Sequence, residues 1–323
     1  MIEVQNLVKK YGSHIAVNDL SFTVEKGQIY GFLGPNGAGK TTTMNIITGY
    51  TGMTRGHVTV DGIDITKNPT ESKRRIGYLP ETPPLYMDMT PFEYLSFAAE
   101  LKKIPEELAP QSAEEAMELT GITEVKNRLI KNLSKGYRQR VGLAQAILGF
   151  PPVIILDEPT VGLDPKQILE VRSLIKSLAG DHTVILSSHI LSEVREICDR
   201  IMIINHGKLA YSGTPAELER NMRSSCVELI IKSGELNAVT AVLSKVPGVE
   251  RAEAALLPEG TISAAVYPKD SGSDIREAVF SVCCKEKLPV LKMDFAGMSL
   301  EQIFLKLTSD GDVEEEQCDD SHI

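Results

Sequence analysis

The stretch Gly34-Pro35-Asn36-Gly37-Ala38-Gly39-Lys40-Thr41 fits the pattern G-x-x-x-x-G-K-[ST], and nothing else in the chain restricts its fold so strongly. The apolar run IYGFLG before it reads as a buried strand, and KTTTMNIITG after it reads as a helix. That strand-loop-helix order is the one the pattern requires. Glycines let the backbone wrap closely around a phosphate with its N–H groups turned inward. The new helix presents the positive end of its dipole to the same anion. Lys40 is placed to bridge β- and γ-phosphates, and the Thr41 hydroxyl to ligate Mg²⁺.

In a parallel sheet a ligand sits at the carboxyl ends of the strands, and three more strand-like runs end in residues suited to phosphoryl transfer. VIILDE, residues 153–158, closes on two carboxylates: Asp157 fits a partner for Mg²⁺, and Glu158 fits the group that orients or deprotonates an attacking water. TVILSSH, residues 183–189, ends at His189, able to hydrogen-bond a γ-phosphate or a neighbouring loop, and IGYLPE, residues 76–81, ends at Glu81. Taken singly, a carboxylate pair after a strand also fits a helix cap or a solvated turn, and a strand-end histidine also fits a structural role. Together with the phosphate loop, the set points to function.

Further motifs extend this pattern. Leu133-Ser134-Lys135-Gly136-Tyr137 runs into Arg138-Gln139-Arg140, then the helix-like VGLAQAIL, then the strand ending in Asp157 and Glu158. Gly162-Leu163-Asp164-Pro165 follows. Over roughly residues 1–217 the chain resembles the ABC ATPase family, whose signature usually reads LSGGQ. The resemblance implies an α/β fold: a P-loop NTPase core with a parallel sheet, an N-terminal antiparallel β part and an inserted helical subdomain at about 88–150. It implies ATP bound by Tyr11, stacking on adenine, and by Gly34, Pro35, Asn36, Gly37, Ala38, Gly39, Lys40, Thr41 and Thr42. Glu158 and His189 are the implied catalytic residues, His189 as the switch histidine, and Asp164 belongs to the D-loop. Mg²⁺ is expected on Thr41, Asp157 and Glu81. Lys135 and Tyr137 depart from the usual signature, and Glu81 stands where the family normally carries glutamine. Ser134 and Gly136, the positions of the family's phosphate contacts, are retained, and Ser134 can cap the helix it opens.

The same resemblance implies head-to-tail pairing, in a homodimer or a heterodimer, with Ser134 and Gly136 acting in trans on the partner's ATP. It implies a separate transmembrane permease, a peripheral place on the cytoplasmic face of the membrane, and a likeness to drug, polysaccharide or gliding-motility-associated exporters. Residues 82–89 (TPPLYMDM) are expected in the permease-docking groove, or else packed under the helical stretch. A soluble ABC ATPase acting on ribosomes or DNA is the alternative. A net charge of −10 weighs against nucleic acid as partner, and the chain lacks a second motif set.

A length of 323 residues calls for about two domains. Thr90-Pro91-Phe92-Glu93 combines a capping-box spacing with proline at the first helical position, so a helical stretch is expected from Thr90 to about Leu148. After Glu217 the character changes. Strands are expected at 226–232, 260–267 and 289–295 and helices at 236–246 and 273–286, a β-α-β-β-α-β order that suggests a small ferredoxin-like α+β domain at 222–308. That domain carries no phosphate or metal motif and is expected to be accessory. Residues 309–323 are acidic and expected to be disordered. Five cysteines stand at no metal-ligand spacing and read as reduced thiols. No signal peptide or membrane anchor is expected; the longest apolar stretch, VGLAQAILGFPPVIIL, is interrupted by Gln145 and Pro151-Pro152.

Overall fold

The computed structural model describes residues 1–221, 226–233, 235–257, 260–270, 273–296, 304, 307 and 308. The acidic stretch 309–323 lies outside the described residues. Two compact units emerge: Met1–Pro215 with the described positions of Phe304–Ile323, and Ala216–Ile303.

In the first unit, β1 (Ile2–Tyr11) and β2 (His14–Val24) form a hairpin that brings Tyr11 opposite His14. β3 (Ile29–Leu33) runs into the phosphate loop and α1 (Lys40–Ile47). β4 (Arg55–Val60) and β5 (Ile63–Asp64) complete an antiparallel sheet of order β2-β1-β4-β5. A short helix, α2 (Pro69–Arg74), precedes β6 (Ile76–Leu79).

The helical stretch resolves into α3 (Pro91–Leu101), α4 (Ala109–Leu119) and α5 (Lys135–Ile147), with 3₁₀ turns between the last two. Thr90 and Glu93 form the capping box: Thr90 Oγ1 accepts the Glu93 N–H at 3.3 Å, and Glu93 Oε2 accepts the Thr90 N–H at 2.8 Å. Lys102 reaches from the end of α3 to the carboxyl end of α5. Its amine donates to the Leu148 carbonyl at 2.9 Å and to those of Gln145 and Ala146 at 3.3 and 3.4 Å. A cation there complements the helix dipole. Burial draws the amine down to about 8.

β7 (Val153–Leu156), α6 (Pro165–Leu178), β8 (Thr183–Ser188), α7 (Leu191–Ile197), β9 (Arg200–Asn205) and β10 (Lys208–Gly213) complete a six-stranded sheet of order β10-β9-β3-β8-β7-β6. It is parallel except for β10, which pairs antiparallel with β9 at the edge. β3, β7 and β8 are buried at every residue. Strands covered on both faces need continuous apolar sequence, which VIIL and IYGFL supply. Each fully buried Leu, Ile or Phe in them contributes about 1.5–3 kcal/mol. The antiparallel and parallel sheets share one core, in which Ile2, Leu7, Leu20 and Val58 meet Phe32, Ile155 and Ile185. Asn205 on β9 donates to the carbonyls of Leu307 and Thr308, so the chain returns to this unit after the second.

α8 (Pro215–Asn221) leads to β11 (Cys226–Ile231), α9 (Leu236–Leu243), β12 (Val249–Leu256), β13 (Ile262–Pro268), α10 (Arg276–Lys285) and β14 (Val290–Ala296). The sheet is antiparallel with order β12-β13-β11-β14, the ferredoxin-like arrangement. Its second strand, β12, has no counterpart among the three strands expected there. The unit ends at Ile303, short of the expected 308.

Candidate functional site

The phosphate loop depends on glycine where its backbone turns into α1. Gly39 has φ 102°, and a Cβ there would lie 2.4 Å from the Ala16 carbonyl oxygen. Any side chain would force the loop off β2. Behind the loop, the buried Lys40 amine donates to the carbonyls of Gly34 at 2.7 Å and Pro35 at 3.2 Å. Burial lowers its pKa, while the negative fields of Glu158, Asp157 and Glu81 pull the other way.

A cavity of about 390 Å³ opens on this loop. Asn36 through Thr42 line it, together with Tyr11, His14, Glu81, Glu158 and His189. The half-exposed Tyr11 ring has the Lys9 amine 4.7 Å from its centroid. His14, Ala16 and Val161 line the cavity as well, and none of them was expected. Only the β1–β2 pairing reveals His14, because it sits opposite Tyr11.

The two acidic residues at the end of β7 are tied to Ser187, a serine that belongs to no motif. Ser187 Oγ donates to Asp157 Oδ1 at 2.5 Å and accepts the Glu158 N–H at 2.8 Å. One hydroxyl on β8 thus ties the Asp157 carboxylate to the Glu158 backbone. Glu158 holds a left-handed φ of 49°, a conformation that costs about 1–3 kcal/mol and persists only when its surroundings enforce it. Its Oε2 meets His189 Nδ1 at 3.0 Å; Glu158 is buried and His189 half exposed at the cavity. The strand-end histidine therefore bonds the neighbouring acid.

Asp157 Oδ2 is buried with no hydrogen-bond partner. An unpaired carboxylate oxygen in that setting fits a cation. Asp157, Thr41 and Glu81 border a second cavity of about 710 Å³, and Thr41 and Glu81 line the first as well. These are hard oxygen donors, the set that suits Mg²⁺ held jointly by protein and phosphates.

Ser134, Gly136 and Asp164 stand apart from this cavity. Ser134 caps α5, its Oγ accepting the Tyr137 N–H at 3.4 Å. Gly136 packs against α6 so closely that a Cβ would lie 2.5 Å from the Gln167 side chain. Asp164 caps α6 in a capping box with Gln167. The departures from the usual signature have partners here: Tyr137 bonds Glu124, and Lys135 lies against Gly162. In the 82–89 segment, Tyr86 packs edge-on against Phe97, yet it stays half exposed beside Met87.

The chain is similar to known proteins. The family model described as ABC transporter matches residues 17–161. The linearmycin resistance ATP-binding protein LnrL of Bacillus subtilis (strain 168) is 32% identical over 310 residues, covering 95% of this chain and 98% of the relative. The bacitracin transport ATP-binding protein BcrA of Bacillus licheniformis is 42% identical over 211 residues, 65% of this chain and 68% of the relative. Among solved structures, a dimeric ATP-binding cassette in a post-hydrolysis state, bound to ADP and Pi, superposes with TM-score 0.61 at 26% identity, covering 66% of this chain and 98% of that one. Phosphate loop, carboxylate pair and near full-length likeness agree: the chain belongs to the ATP-binding proteins of the ABC transporter family and is an ATPase.

Proposed function

We propose that this ATPase drives an exporter, pairing head to tail with a second cassette and powering a separate permease. The observation that carries its chemistry is the Glu158–His189 pair, 3.0 Å apart beside the phosphate loop. Lys40, the loop N–H groups and the amino end of α1 hold the triphosphate, while Tyr11 stacks on adenine. Glu158 takes a proton from water as the water oxygen bonds the γ-phosphorus. The bond to the bridging oxygen breaks, and ADP leaves with its electrons. His189 keeps the Glu158 carboxylate aimed. Thr41, Asp157 and Glu81 would hold Mg²⁺, which when bound neutralises phosphate charge.

Ser134, Gly136 and Asp164 have no place at the chain's own cavity, which supports their acting on a partner's nucleotide. The relatives' roles in bacitracin transport and linearmycin resistance support export. Among the described residues no helix is long and apolar enough to cross a membrane. The proposed seat of the permease, at the cytoplasmic face, is the rim of the second cavity at Pro80, Thr82 and Pro84 with the exposed Tyr86 and Met87 that follow in the chain.

Glu158→Gln keeps the shape and loses the base. Mg-ATP binding should persist, turnover should fall by about a hundredfold or more, and ATP should trap a dimer on size-exclusion chromatography. Wild-type turnover in this variant would remove Glu158 from the mechanism.

A further inference from the structure

Glu193, on α7, is a buried carboxylate outside the phosphate cavity, only 3% exposed. A charge so enclosed needs full pairing, and its partners come from the segments that carry the catalytic pair. Its Oε2 accepts the Thr160 hydroxyl at 2.7 Å and the Ser188 hydroxyl at 3.2 Å. Thr160 follows Glu158 by two residues, and Ser188 immediately precedes His189. The other oxygen, Oε1, faces Arg172 Nη2 at 3.4 Å, from the helix that Asp164 opens. Arg172 is held in turn by Glu196 at 2.6 Å.

We infer that Glu193 is a positioning residue for ATP hydrolysis, clamping the Glu158 turn and the His189 segment onto one oxygen so that the base keeps its attacking geometry. Ser187 fixes the backbone N–H of Glu158, at the start of the strained turn. Thr160 is held through its side chain, on the other side of that turn. Together, one bond on each side of Glu158 enforces a conformation that glutamate would otherwise leave. Because Thr160 and Ser188 share one oxygen, the two segments cannot drift apart independently. The inference rests on the reading of Glu158 as the base.

The test compares three variants by steady-state ATPase kinetics and equilibrium Mg-ATP binding. Glu193→Leu removes the acceptor at similar volume. It should lower kcat by about tenfold to a hundredfold, the cost of slight misplacement of a catalytic group. The Kd for Mg-ATP should change by no more than about twofold, because the phosphate loop is untouched. Glu193→Gln can present its carbonyl oxygen to both hydroxyls, and should recover most of the lost kcat. Thr160→Val removes one clamp bond with little change of shape. It should lower kcat less than Glu193→Leu, again without loss of binding, and it decides the matter if Glu193→Leu fails to fold. A Glu193→Leu that loses binding and turnover in parallel overturns the inference, since that marks general structural damage. A folded Thr160→Val with wild-type kcat overturns it too, provided Glu158→Gln is inactive. An active Glu158→Gln brings down the base assignment first and the clamp with it.

Discussion

The two units solve opposite problems. Every buried charged or hydroxyl side chain among the described residues lies in the first unit, including Lys40, Asp157, Glu158, Thr160, Ser187, Ser188 and Glu193. The core of the second unit is apolar throughout, built from Val227, Leu229, Ile231, Val239, Leu243, Val266 and Val279 with the thiol of Cys283. Burying charge is unfavourable unless it is paired: Lys40, Glu158 and Glu193 are each tied to neighbours, and Asp157 is tied through one oxygen with the other left unpaired. The difference teaches where stability has been given up for chemistry. Changes in the first unit should damage function more than folding, and changes in the second should do the reverse.

The largest effect that would sharpen this contrast is expected from Lys40→Ala. If Lys40 is the main counter-charge of the triphosphate, as proposed, its loss should weaken Mg-ATP binding by about a hundredfold or more. The melting temperature should move by no more than about 4 °C, because the amine is a buried cation whose removal also relieves desolvation. Nucleotide titration and scanning calorimetry on the same sample check both. A collapse of the fold would break the comparison.

Leu229→Ala in the second unit should cost that unit about 2–5 kcal/mol, through lost burial and a cavity. ATPase per folded molecule should stay within about twofold of wild type. A core substitution is cleaner than truncation near Arg220, which would also remove the contacts of Asn205 with Leu307 and Thr308. Parallel loss of kcat would show the second unit to be part of the machinery.

Glu81→Gln should give the smallest change. An exposed glutamate that borders both cavities and whose charge acts on Lys40 should bind Mg²⁺ more strongly than an amide does. The Mg²⁺ concentration for half-maximal ATPase should rise by about threefold to tenfold in the variant. Superimposable titrations would leave Glu81 a surface residue.

Local signals carried most of the reading. The phosphate loop, the β7 carboxylates and the caps at Thr90, Ser134 and Asp164 depend on residues within a few positions of each other, so the sequence displays them directly. β12 stayed hidden because VERAEAAL is rich in helix formers and has charges on an open face; pairing with β13 makes it a strand. α2 was missed because only Ser72 of PTESKR is buried, leaving no apolar period to see. Ser187 and Glu193 were invisible for a deeper reason. Their importance lies in partners some thirty residues away in the chain, and a serine in a strand or an acid on a short helix reads as ordinary until the sheet brings those partners together.

The bonds from the Lys40 amine to the Gly34 and Pro35 carbonyls bear on the pace of the cycle. The lysine rests on its own loop, so an arriving triphosphate exchanges one set of oxygens for another without first ordering the backbone. Entry then needs no prior folding of the loop, and less ordering is left to oppose binding. The same exchange can run in reverse. When product phosphates depart, the amine falls back onto those carbonyls, and at no moment is a bare cation stranded in a buried place. A release step that exposes no unpaired charge has a lower barrier, so the same two carbonyls that shape the resting loop also speed its return to readiness.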